Sequence, residues 1–110
     1  MLIRVTQEHI DEGECHRCYC PIALAIKDIL NVPRYPSEKF VEVNKKSITL
    51  LEPLSGRDGD RTKWVPEVAE KFIEQFDGWK TQQNNNYSGP DAVVCPKPFE
   101  FELEEQDNDN

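Results

Sequence analysis

The chain has 110 residues, 37% hydrophobic and 31% charged, with 21 acids against 13 bases and a formal net charge of −8. This length suits one domain with its own core, and no run approaches the roughly 20 apolar residues of a membrane span. Six acids follow residue 99 with no base among them, so residues 1–99 are nearly balanced; that composition disfavours direct nucleic-acid binding, which needs clustered Lys and Arg.

Leu2-Ile3-Arg4-Val5 reads as a first strand, apolar at 3 and 5. Thr6 has the character of a helix N-cap, with Gln7, Glu8 and His9 as the first turn and Gly13 as a stop that tolerates a left-handed backbone. The start of the chain has no basic segment leading into a long apolar run, so it does not read as a signal peptide. The expected compartment is the cytoplasm, where thiols stay reduced.

The densest chemistry follows in Glu14-Cys15-His16-Arg17-Cys18-Tyr19-Cys20-Pro21. Pro21 suits the first helical position, which makes Cys20 the N-cap. Ile22, Ala23, Leu24, Ala25, Ile26, Ile29 and Leu30 surround the helix axis, so this helix is predicted to be central. Asn31 and Pro33 stop it. Phe40–Val43 and Ser47–Leu51 read as two strands joined by a hairpin loop at Asn44-Lys45-Lys46, and residues 52–63 as a polar loop.

Val65, Val68, Ala69, Phe72, Ile73 and Phe76 recur at helical spacing behind Pro66, and predict a helix over 66–77. Gly78 is expected at C′, with Trp79 folding back on Ile73. Residues 80–91 read as a loop. Ala92–Cys95 is a short strand or a segment packed on the core. Phe99, Phe101 and Leu103 alternate with Glu100, Glu102 and Glu104, a half-buried strand expected beside 2–5. Residues 1–104 are thus read as one α+β domain, a small antiparallel sheet of three or four strands with helices on one face. Residues 105–110 read as a disordered acidic tail.

Three readings of the cysteines stand together. Cys15 and Cys18 have the spacing of a zinc knuckle, which Cys20, Cys95, His9 or His16 would complete. Cys20 at a helix N-terminus would feel a dipole that favours thiolate. Alternatively, the thiols are small core residues. Elsewhere, Glu67, Glu70, Glu74 and Asp77 share one helix side, and Glu100, Glu102 and Glu104 one strand face. They are candidate partner-binding carboxylates, or else a solvated surface. Asp58-Gly59-Asp60, between Arg57 and Arg61, reads as a turn rather than a calcium loop. No phosphate loop, nucleophile elbow or catalytic carboxylate pair is present in the sequence, so no enzyme activity is expected.

Val5-Thr6-Gln7-Glu8-His9-Ile10-Asp11, Cys20-Pro21-Ile22-Ala23-Leu24-Ala25-Ile26, Phe76-Asp77-Gly78 and Pro98-Phe99-Glu100-Phe101-Glu102-Leu103 resemble small uncharacterised proteins of bacteriophages and their hosts. In that type a cysteine stands three before the Cys-Pro pair; here that position is Arg17. The resemblance implies no cofactor and no set of functional residues. It implies a small acidic cytosolic protein that binds and inhibits a host protein of defence or nucleic-acid handling; its oligomeric state, a homodimer included, is not fixed by the sequence. The alternative is a domain stabilised by zinc on Cys15, Cys18, Cys20 and Cys95.

Overall fold

The computed structural model describes residues 1–34, 41–50, 61–86, 89–90 and 92–103. It is α+β, in the order β1 (Leu2–Val5), α1 (Gln7–Glu12), α2 (Pro21–Ile29), β2 (Val41–Val43), β3 (Ser47–Leu50), β4 (Arg61–Trp64), α3 (Glu67–Asn84) and β5 (Phe99–Glu102). The strands form two antiparallel sheets, β1–β5 and β2–β3–β4, where a single sheet was expected. Central helix α2 explains the split, because it packs against both β1 and β2. Its Ile22, Ala23, Leu24, Ala25 and Ile26 are all buried, each large aliphatic chain contributing roughly 1.5–3 kcal/mol.

The first sheet follows its sequence pattern. Leu2 pairs with Glu102 and Val5 with Phe99. Ile3, Val5, Phe101 and Leu103 turn inward, while Arg4 and Glu100, directly opposite each other, form an ion pair at 3.2 Å. Such cross-strand pairs fix the register. Phe72 of α3 stacks on Phe99 at 4.5 Å between ring centres, tying the helix to this sheet.

Three local expectations are corrected. Residues 61–63 belong to strand β4 rather than to a loop, paired with β3 from Ser47–Trp64 to Leu50–Arg61. Gly13 does close α1, but with φ −69° and ψ 157°, an extended conformation. Glycine stands there for space, because a Cβ would lie 2.7 Å from the Pro21 ring and 2.8 Å from the His9 carbonyl oxygen.

The third correction concerns α3, which does not stop at Gly78. It runs through Trp79 to Asn84, so residues 80–84 are helical. Trp79 packs on Phe76 at 6.0 Å from within the helix, rather than beyond its end. A Cβ on Gly78 would meet Val93 Cγ2 at 3.3 Å, so this glycine lets residues 92–95 approach. That segment is no strand; Gln82 clamps it by exchanging hydrogen bonds with both the amide and the carbonyl of Val93.

Gly78→Leu is expected to push Val93 away and cost about 1–3 kcal/mol by overpacking. Gly78→Ala is expected to stay within about 1 kcal/mol of the parent, since alanine's helix propensity offsets the tight contact. Urea unfolding of both variants checks the contrast.

The expected positions of Phe40, Leu51, residues 52–60 and the 105–110 tail lie outside the described residues. Among the described residues, no helix is long and apolar enough to cross a membrane.

Candidate functional site

The Cys15–Cys20 segment is a tight turn. The Glu14 amide donates to the Tyr19 carbonyl at 2.9 Å, the Tyr19 amide to the His16 carbonyl at 3.0 Å, and the Cys18 amide to His16 Nδ1 at 3.0 Å. The Val43 amide donates to the Arg17 carbonyl at 2.7 Å, hooking the turn onto β2. Between turn, hairpin and α3 lies a cavity of about 230 Å³, lined by Cys15, His16, Arg17, Cys20, Lys45 and Asp77 among others.

The four cysteines occupy different surroundings. Cys15 is exposed, Cys18 and Cys20 are buried, and Cys95 is half-buried. Cys95 lines a separate groove together with Val68, Lys71, Phe72 and Gln75 of α3, whereas Ile73 and Asp77 face the Cys15–Cys20 cavity. At 100° per residue these two faces of α3 point about 170° apart. The helix therefore separates Cys95 from the turn.

His9, proposed as a further ligand, has both ring nitrogens engaged. Among the described residues, no group of three or more His, Cys, Asp or Glu side chains is placed to hold a metal ion.

The thiolate reading of Cys20 finds no support in its surroundings. Cys20 caps α2 without a side-chain hydrogen bond. Burial pushes its thiol up to about 12, outweighing the backbone amides of Ala23 and Ile22, which pull the other way. Cys15 is also raised, first by desolvation and then by the Asp77 carboxylate. A neutral thiol is a poor nucleophile.

Three of the four carboxylates of the α3 stripe lie beside lysines. Lys45 and Lys46, in the β2–β3 hairpin loop, reach Glu74 at 2.5 Å and Glu70 at 3.4 Å. Lys71 pairs with Glu67 one turn away at 3.1 Å. The Lys45 ammonium holds the Glu74 carboxyl below its ordinary range, and desolvation raises Asp77 beside the cavity. On β5, Glu100 meets Arg4, and Glu102 meets the amino group of Met1 at 3.0 Å. Glu104 lies outside the described residues. Six of the seven candidate carboxylates are thus placed, five of them beside a cation.

Sequence reasoning missed a polar array behind α1. The Thr6 amide donates to His9 Nδ1 at 2.9 Å. An amide can only donate, so Nδ1 is the acceptor and Nε2 carries the proton toward Asp28 Oδ2 at 2.7 Å. Arg34 grips Asp28 at 2.8 and 2.5 Å, Glu8 at 2.6 Å and Glu12 at 2.9 Å. Its guanidinium, with His9 second among the hydrogen-bond donors, holds the Asp28 carboxyl below its usual value.

Thr6 Oγ1 also lies 3.1 Å from Nδ1, in the order hydroxyl, imidazole, carboxylate of a catalytic triad. The single lone pair of Nδ1 is already taken by the Thr6 amide. The array therefore works as a capping box that ties α1 to α2.

The second missed region is apolar. The groove beside Cys95 has a volume of about 420 Å³, and its floor and walls include Phe72, Pro96 and Phe99. Two of its lining residues, Val68 and Val94, are 51% and 70% exposed, and Trp64 on β4 is 79% exposed. A tryptophan in the polar run Thr62-Lys63-Trp64 was the sequence signal for the last. No protein-family model, curated protein or solved structure matches the chain.

Proposed function

We propose that the chain is a small binding factor that acts by contact with another protein rather than by catalysis. The single observation that carries this reading is Trp64, left four-fifths exposed at the end of an edge strand. Folding gains nothing from an uncovered indole, and tryptophan is the residue most enriched among energetic anchors of protein interfaces. Val68 and Val94 add apolar surface of the same kind. The carboxylates of α3 and β5 play a lesser part, because five of them are matched by neighbouring lysines, Arg4 and the amino terminus. The resemblance to bacteriophage proteins makes a host protein in the cytoplasm the expected partner, and its inhibition the expected result.

The test is affinity capture from bacterial lysate with the immobilised chain and its Trp64→Ala variant, followed by reconstitution with the purified partner. Trp64→Ala is expected to keep its melting temperature and weaken binding by about tenfold or more. A partner retained equally by both proteins would remove Trp64 as the anchor.

A further inference from the structure

The groove beside Cys95 has the chemistry of a site for one class of partner. Its apolar surface comes from Val68 and Phe72 of α3, and from Val94 and Phe99 on the facing segment. Two ammonium groups, Lys71 and Lys97, line it as well.

Positive charge is the minority in this chain of net −8, and much of it is already paired. Arg4, Arg17, Arg34, Lys45, Lys46 and Lys71 all sit on carboxylates. Lys97 has no ion-pair partner among the described residues. The Lys71–Glu67 pair joins two side chains that are each more than 70% exposed, and such pairs are weak enough to exchange.

We propose that this groove takes an acidic peptide, an extended segment of a partner protein in which apolar side chains alternate with carboxylates. The proposal rests on the reading of the chain as a binding factor and names the chemistry of what it binds. Apolar side chains of the peptide enter the cleft between α3 and residues 94–99, while its carboxylates meet Lys97 and draw Lys71 from Glu67. A concave groove favours a peptide over an anionic lipid surface, which offers nothing to fill a cleft. Two lysines are too few to track a nucleic-acid backbone.

The experiment uses the full chain and a fluorescein-labelled peptide alternating Leu and Phe with Asp and Glu, read by fluorescence anisotropy. A charge-reversed twin carries Lys in place of each acid. The acidic peptide is expected to bind about tenfold more tightly than the twin, and to weaken as salt rises. Lys97→Glu is expected to lose about five- to tenfold in affinity for the acidic peptide and to gain affinity for the twin. Val94→Asp is expected to abolish acidic-peptide binding with an unchanged melting temperature, since Val94 is exposed.

Equal or tighter binding of the twin by the parent chain overturns the proposal. So does full binding of the acidic peptide by Val94→Asp. Co-sedimentation with phosphatidylglycerol vesicles in the absence of peptide binding also overturns it, as does self-association that Val94→Asp removes. If peptides fail while Trp64→Ala still loses a captured protein, the acidic class falls and the binding-factor reading stands. If the parent chain captures no protein at all, the binding-factor reading falls too.

Discussion

Lys27→Ala is expected to destabilise the protein by about 3–5 kcal/mol, close to the whole stability of many small domains. Lys27 is completely buried. Its ammonium donates to the carbonyls of Cys18 at 2.7 Å and Arg34 at 3.0 Å, and stands 4.6 Å from the centre of the Tyr19 ring. One side chain on α2 thereby fastens the cysteine turn and the segment that delivers Arg34 to Glu8, Glu12 and Asp28. Truncation removes these bonds, leaves carbonyls facing a void, and empties the space of three methylenes and the ammonium. Lys27→Met keeps most of that volume and is expected to cost less, about 2–3 kcal/mol, from the lost charged hydrogen bonds. Urea unfolding of both variants separates packing from polar loss. Alkylation of the buried Cys18 in the native state adds a local readout, since Lys27→Ala frees the turn that covers it. A change under 1 kcal/mol in Lys27→Ala would show that the turn is held by its own backbone bonds.

Lys27 also shows what the sequence carried and what it did not. Apolar residues at 22–26, 29 and 30 marked α2 as central, yet Ile29 is 45% exposed and Lys27 is fully buried; the pattern did not single out the lysine. Where structure is local, the residues announce it: Thr6 caps α1, Pro21 starts α2, and Phe99 to Glu102 alternates about the sheet. Where a partner from elsewhere in the chain decides, local pattern fails. Arg61 to Trp64 is polar enough for a loop and becomes a strand only by pairing with Ser47–Leu50, with Thr62 and Thr49 hydroxyls 3.0 Å apart. Gly78 is a plausible helix stop until Val93 is known to lie against it. The stripe Glu67, Glu70, Glu74 and Asp77 was visible at helical spacing, but Lys45 and Lys46, which meet Glu74 and Glu70, sit on a hairpin more than 20 residues earlier. The Thr6–His9–Asp28–Arg34 array joins three segments, and nothing in their spacing predicts a meeting. Candidate site residues were therefore readable as residues, while their roles depended on which distant side chain faced them.

Stability is expected to fall as pH rises above about 9, with Cys20 as an identifiable cause. The folded chain holds the Cys20 proton to about 12, whereas an unburied thiol ionises near 9.0. Below 9 both states keep the proton, and the contribution is fully present. Above 9 the unfolded state releases its proton first, so the folded state loses ground as pH rises toward 12. Linkage sets the loss at about 2 kcal/mol by pH ~10.5 and about 4 kcal/mol at 12. Other groups of the chain also ionise in alkali, so the measurement is a difference between the parent and Cys20→Ala. At pH 8 the variant is expected to be the weaker, lacking a buried sulfur; by pH ~10.5 its deficit should shrink or reverse by about 2 kcal/mol. Parallel stability profiles for the two proteins would mean that Cys20 is not shielded from water. Rapid alkylation of Cys20 in the native protein at neutral pH would go further: it would mean that the α2 amides, not burial, govern the thiol, and that the cavity between Arg17 and Asp77 holds a reactive centre.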